Sequence, residues 1–198
     1  MTEVARASLV VGEDGRPRCA WVGADAEYER YHDEEWGVPL RGDRALFEKI
    51  SLEAFQSGLS WITILKRRPG FRAVFHDFAP ARVASFSDAE IEAAMQNPAI
   101  IRNRAKVLAT VHNAAVVHSM VESEPGALDA LVWSFVPEPS QPRPRALEEI
   151  AAVTPESIAL SKALKHRGFK FVGPTTMYAL MQSAGLVDDH VEGCWRAR

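Results

Sequence analysis

The sequence predicts an all-α fold, with helices bundled around one core. Three observations lead there. Apolar residues recur at helical spacing, capping signals precede those runs, and the strict apolar–polar alternation of strands is nearly absent. The chain has 198 residues, 47% apolar and 25% charged, which is ordinary globular composition and enough length to bury its own core.

The elements follow in order. Residues 1–17 hold only a short apolar patch, Leu9 to Val11, with no small-residue cleavage site after it, and read as a loose N-terminal extension. Residues 18–198 read as one two-lobed domain. Asp43 is placed to cap a helix that carries Leu46, Phe47, Ile50 and Ala54 on one stripe and stops near Gly58. Ser87 to Glu90 form the capping-box pattern S-x-x-E ahead of a short helix. Pro98 is placed at the start of a longer one, with Ile100, Val107, Leu108, Val111 and Ala115 at helical spacing. "ALDALVWSF" is a short apolar helix ended by Pro137, and "PEPSQPRPR" is an exposed connector. Thr154 caps a helix from Pro155 to Arg167, stopped by Gly168, and a last helix runs from Thr175 toward Gly185. No apolar run reaches membrane-spanning length, so a soluble, cytoplasmic protein with no membrane role is expected. Nothing demands an obligate partner chain, and a monomer is expected.

Net charge is -3, but its distribution is uneven. Met1 to Ser60 carries 7 basic and 12 acidic residues, Trp61 to Thr110 carries 8 and 4, and Ser161 to Thr175 carries 4 and none. Basic patches on an acidic body suit either a face that grips a phosphate backbone or plain solvated helix faces.

Two cysteines lie near opposite ends. Twelve residues separate Cys19 from His32, and three separate His190 from Cys194. Two thiolates and two imidazoles make a closed tetrahedral zinc shell, with no open position for an activated water, so the metal would be structural and would join the two ends of the chain. Two buried free cysteines and two unrelated histidines are the alternative. The spacing alone does not separate them.

The segment "SKALKHRGFKFVGPTTMYALMQSAG" reads as a basic helix, a tight hairpin and a second helix. Gly173 suits the turn, and free N–H groups at the start of the second helix make a phosphate site. Lys162, Lys165, Arg167 and Lys170 surround it. An αα-hairpin without a nucleic-acid role is the alternative. Elsewhere, "CAWV", "YHDEEWGVPL" and "LEAFQSGLSWITILKRR" supply Trp21, Tyr31, Trp36 and Trp61 around a lone acid, Glu53, in a helix that otherwise reads as core. A carboxylate there is either functional or paired, with Lys49 four residues earlier as the nearest partner. Aromatic plates beside a semi-buried acid suit a flat, electron-poor ring.

The basic segment resembles the helix–hairpin–helix element of DNA repair glycosylases, and "VDDH" resembles the segment that follows it there. Over nearly the whole chain, from Arg18 to Trp195, the motifs "RCAWV", "YHDEEWGVPL", "LEAFQSGLSWITILKRR", "IIRNRAKV", "VWSFV", "LSKALKHRGFKFVG" and "VDDHVEGC" resemble the 3-methyladenine DNA glycosylase I family. The resemblance implies an all-α helix–hairpin–helix glycosylase fold with one structural zinc on Cys19, His32, His190 and Cys194. It implies a base pocket of Glu53, Tyr31 and Trp61 walled by Trp21 and Trp36, and damaged double-stranded DNA as partner with free 3-methyladenine as product. Gly173, Thr175, Lys162 and Lys170 would hold phosphates, joined by Arg102, Arg104 and Lys106, and Leu59 would fill the vacated base stack. Thr175 stands where members with strand-cleaving activity carry a nucleophilic lysine, so base removal without strand cleavage is implied. Asp188 stands where the superfamily's catalytic aspartate usually lies and also flanks His190; a catalytic role and a supporting one both remain open. Phe55 stands where a glutamine is usual, a change that bears on base selectivity.

Two rival readings stand beside this one. A catalytic zinc hydrolase or deaminase needs H-x-E with P-C-x-x-C, or H-E-x-x-H, and neither set occurs. A non-enzymatic, zinc-stapled module that binds damaged DNA would keep the hairpin but have no need of Glu53 amid aromatics.

Overall fold

The computed structural model describes residues 8–197. Residues 1–7 of the expected extension therefore lie outside the described residues. The remainder of that extension is not loose. Leu9–Val11 (β1) pairs antiparallel with Pro17–Cys19 (β2), Leu9 opposite Cys19, and this hairpin fixes the first cysteine of the chain. It escaped the sequence reading because three-residue strands are too short to display alternation.

Nine α-helices follow among the described residues: α1 (Ala26–Glu34), α2 (Asp43–Gln56), α3 (Trp61–Val74), α4 (Pro80–Ala84), α5 (Asp88–Gln96), α6 (Arg104–Ser123), α7 (Ala127–Trp133), α8 (Pro155–His166) and α9 (Pro174–Ser183). None is long and apolar enough to cross a membrane. Helix α2 is the hub, packing against α3, α6, α7 and α9. Its burial runs unbroken from Lys49 to Phe55, so it is enclosed on every side rather than on one stripe. Apolar burial of Leu46, Phe47, Ile50 and Phe55, each fully inaccessible, holds it there at about 1.5–3 kcal/mol apiece. The same enclosure carries two charged residues, Lys49 and Glu53, into the interior.

The helix ends show where local signals hold. Ser87 and Glu90 form the capping box of α5, and Thr154 forms one with Ser157 at α8. Gly168 ends α8 in the left-handed region at φ 92°. Two local expectations fail. The long helix α6 starts at Arg104, not Pro98; Asn103 caps it by accepting from the Lys106 amide, and that side-chain cap outcompetes the proline signal. Asp43 does not cap its own helix. It is the first residue of α2 and its carboxylate accepts from the amides of Gly126, Leu128 and Asp129, closing the N-terminus of α7. A residue at one helix start thus fastens another helix, which no window of sequence reveals.

Removing that carboxylate leaves three amide donors at the α7 terminus without their acceptor. Asp43→Ala is expected to lower the unfolding free energy by about 1–3 kcal/mol, read as a fall in the urea midpoint with unchanged slope.

Candidate active site

Helix α2 delivers Glu53 to the wall of a cleft of ≈ 190 Å³. The side chain is 4% exposed, and its Oε1 accepts from the Ser183 hydroxyl at the end of α9, at 2.9 Å. Burial pushes the carboxyl up to about 7, against the pull of the Lys49 charge and of the Ser183 hydrogen bond. Lys49 is not its salt-bridge partner: among the described residues Lys49 makes no hydrogen bond and no ion pair within 4 Å.

The rest of the wall is aromatic. Tyr31 on α1 and Trp61 at the start of α3 lie with ring centroids 5.5 Å apart, and Trp21 and Trp36 meet edge to face at 5.0 Å. All four line the cleft with Glu53. The hydroxyl of Tyr31 makes no hydrogen bond to another described residue, and burial followed by the Glu53 charge pushes its ionisation well above the ordinary range, so it stays a donor. The indole N–H of Trp61 is buried without a partner among the described residues. Sequence reasoning missed Tyr28, Gln182 and Ser183, which also line the cleft. Tyr28 was findable, since it lies one turn before Tyr31 on the same helix face. Gln182 and Ser183 carry no local mark. Phe55 is turned away from the cleft: it is fully buried against Phe71, centroids 4.6 Å apart, and so does not touch whatever the cleft holds. Leu59 sits in the loop between α2 and α3, 41% exposed, just after Gly58 at φ 84°.

Behind the tryptophans the chain ends meet. One ligand atom each of Cys19, His32 and Cys194 lies within 4.8 Å of the others, all buried. His190 is 3% exposed, and its ring centroid is 5.0 Å from that of His32. Each histidine donates Nδ1–H to a carboxylate at 2.8 Å, His32 to Asp33 and His190 to Asp188. A carboxylate only accepts, so the hydrogen of each contact is on Nδ1, and in the neutral imidazole Nε2 is then the atom with the lone pair. The Nε2 of His32 faces the Cys194 sulfur at 3.4 Å; that of His190 is buried with no hydrogen-bond partner among the described residues. Cys194 is drawn down to about 4 by its hydrogen bond with Cys19 and by His32, while Cys19 is pushed up by the same pairing and by burial. Such a set, with carboxylates orienting both imidazoles, fits a metal ion better than it fits an empty interior. Gly37 is required beneath it: its φ is 74°, and a Cβ there would come within 2.8 Å of His190 Cε1. Asp188 accepts from His190 with one oxygen and from the Arg143 guanidinium with the other.

The proposed phosphate-contact residues divide. Lys162, Lys165, Arg167 and Lys170 are exposed on or beside the turn between α8 and α9, and Arg102 is exposed ahead of α6. Arg104 is engaged by Glu92. Lys106 is not a surface contact at all: it is 7% exposed, and its ammonium donates to the carbonyls of Phe55 at 2.9 Å and Ser57 at 2.7 Å. It closes the C-terminus of α2, where free carbonyls attract a cation. Gly173 also departs from expectation. It caps α9 at φ −64°, an ordinary extended conformation, and a Cβ there would meet nothing within 4 Å. Thr175 is the second residue of α9.

The structure is thus a helical body with an aromatic cleft around the buried acid Glu53. The family model described as methyladenine glycosylase matches residues 21–197. The chain is 49% identical over 178 residues to DNA-3-methyladenine glycosylase 1 of Escherichia coli (strain K12), covering 89% of this chain and 95% of that protein. It is 48% identical to the DNA-3-methyladenine glycosylase of Haemophilus influenzae, covering 89% and 96%. Among solved structures, 3-methyladenine DNA glycosylase I superposes with TM-score 0.87 at 48% identity, covering 91% of this chain and all of that one. The Staphylococcus aureus structure on the basis of 3-methyladenine recognition gives 0.85 at 35%, covering 91% and 96%. The chain belongs to the methyladenine glycosylase family, the 3-methyladenine DNA glycosylase I type of enzyme.

The Glu53 carboxyl makes stability depend on pH in a defined direction. Its folded value, about 7, lies above the ordinary 4.5, so ionisation favours the unfolded chain. The cost is absent below pH 4.5, grows between 4.5 and 7, and is complete above 7, at roughly 3 kcal/mol. Glu53→Gln is therefore expected to raise the melting temperature at pH 8 and to match the wild type below pH 4.5, measured by thermal unfolding across that range.

Proposed function

We propose that this chain hydrolyses the N-glycosidic bond of N3-methyladenine in alkylated DNA, releasing the free base and leaving an abasic site. The observation that carries the reading is the buried Glu53 carboxyl in the aromatic cleft, supported by family membership. Methylation at N3 makes the attached base cationic and a good leaving group, so the enzyme has to find it, extrude it and hold it. Extrusion costs a few kcal/mol, least for a damaged base. In the cleft, Trp61 stacks on the ring, Glu53 accepts from the exocyclic amine, and the Tyr31 hydroxyl adds a polar contact, with Trp21 and Trp36 as walls. Water then attacks the anomeric carbon of the sugar. Thr175, in place of a lysine, offers no Schiff-base route, so no strand cleavage accompanies base release.

The DNA grip is read onto the α8–α9 turn as a helix–hairpin–helix. Lys162, Lys170 and the backbone N–H groups of Gly173 and Thr175 would hold a phosphate; the open space at Gly173 supports this, since a glycine with no internal steric reason suits close approach by another molecule. Helix α6 bears on the geometry. Asn113 exchanges two hydrogen bonds with the backbone of Lys170, and Lys106, two turns earlier on the same face, holds the loop that carries Leu59. Hairpin and loop are thus spaced by about 10 Å of one helix. Leu59, exposed at that loop, is read as the wedge that replaces the extruded base. Arg102 would add a phosphate contact, and Arg104 would do so only on leaving Glu92. The setting is read as cytoplasmic.

The metal shell is read as one zinc held by Cys19, His32, His190 and Cys194. What zinc supplies there is a covalent-strength clasp between chain ends. The clasp bears on the cleft, because the His190 ring packs at 4.5 Å on Trp36 and that of His32 at 5.3 Å on Trp21.

Two measurements test this. DNA treated with dimethyl sulfate is incubated with the enzyme and released bases are resolved by chromatography. Wild-type protein is expected to release 3-methyladenine without nicking the DNA, and Glu53→Gln to do so about 10- to 100-fold more slowly. Release of no base by the wild type leaves the damage-binding module as the better reading. Mass spectrometry of the purified native protein is expected to find one zinc per chain. Cys194→Ser should lose it and melt roughly 10 °C lower or more.

A further inference from the structure

Lys49 has no part in the reading above, yet it is the most unusual charge in the molecule. It is 7% exposed, one helical turn before Glu53 on the hub helix, and makes neither hydrogen bond nor ion pair within 4 Å among the described residues. Its ammonium lies 5.1 Å from the ring centroid of Tyr31 and 5.3 Å from that of Trp61. Both rings line the base cleft; Lys49 does not, and opens instead on a neighbouring cavity of ≈ 200 Å³ that it shares with Glu35, Glu48 and Arg68. The cation therefore lies behind the aromatic floor of the cleft while the Glu53 carboxylate lies at its front.

We propose that Lys49 is a specificity-determining residue of the cleft: it offsets the charge of Glu53, so that the site holds a methylated purine by shape and hydrogen bonding without gripping its positive charge. This rests on the glycosylase reading. The physical reason is electrostatic. An ammonium drawn to an aromatic face competes with any second cation for the same ring electrons, and it repels a cation in the cleft directly. With both residues ionised the floor is near neutral. The substrate ring is cationic while bound to sugar, and as the glycosidic bond breaks the bonding electron pair passes to the ring, which leaves neutral as charge develops on the sugar. A floor of net negative charge would hold the cationic ground state more tightly than the neutral leaving group and raise the barrier. Lys49 removes that penalty.

The groups that face Lys49 are few. Glu53 and Glu48 on its own helix and Glu35 after α1 favour its charge, Arg68 on α3 opposes it, and burial is the largest influence, lowering its ionisation range. Glu35, the acid on a neighbouring element, is already bound by Arg68 at 2.5 Å, so its charge is largely spent there rather than on Lys49.

The test uses two small probes, neutral 3-methyladenine and the permanently cationic 3,9-dimethyladeninium, with affinities read from tryptophan fluorescence between pH 6 and 9. In Lys49→Met the affinity for the cation above pH 8 should rise on the order of tenfold relative to that for the neutral base. The pH at which cation affinity is lost on acidification should also move upward, since Glu53 loses the charge that favours its ionised form. Single-turnover base release from methylated DNA should slow, and Lys49→Arg should follow the wild type in all three. A cation curve for Lys49→Met that lies on the wild-type curve or below it overturns the proposal, with a melting curve confirming that the variant is folded. If Lys49→Met does not fold, the same comparison is made on Lys49→Gln. Failure of the glycosylase reading looks different: the wild type then binds neither probe and releases no base.

Discussion

The organisation of this protein depends on keeping one carboxyl away from water. Glu53 sits on a helix enclosed by four others, and burial opposes its charge strongly enough to bring its titration to about 7. The surroundings then divide by what they do to that charge. Ser183 and Lys49 favour it, and the aromatic walls exclude water from it. Below a pH of about 7 the protonated form prevails at this position, and a core position that opposes its own charge in this way is a pattern expected where chemistry has been built into a core.

The meeting of the chain ends is the second constraint. Arg18, 2% exposed, binds Asp33 at 2.6 Å; Asp33 holds the His32 ring; and the other face of the cluster repeats the scheme with Arg143, Asp188 and His190. Each imidazole is oriented by a carboxylate that is itself anchored by a guanidinium. The two rings then back the tryptophans of the cleft. Order at the ends of the chain is in this way passed to a site built mainly from its first third.

Much of this was legible beforehand because it was written in residue types. An acid in an otherwise apolar helix, and cysteine with histidine at both chain ends, stand out against composition, and the structure brings Glu53, Tyr31, Trp61, Trp21 and Trp36 to one cleft and the two cysteines to His32. Helices α5 and α8 were readable from their capping boxes. Helices α1, α3 and α4 were not read as elements; α3 contains Pro69, which breaks the periodic signal without breaking the helix. Lys106 read as a surface cation among arginines, and it is instead spent on two carbonyls 51 and 49 residues away.

The sequence by itself determined the helical class, the chemistry of the residues set apart, and the resemblance that their order carries. Only the tertiary structure decided which charges are free and which are consumed. A side chain's type sets what bonds it can make, but whether Asp43 caps its own helix or another, whether Lys106 meets solvent or a carbonyl, and whether Lys49 pairs with Glu53 or lies behind an aromatic floor depends on groups distant in the chain. Those distances are settled by packing the core, and no local pattern encodes them.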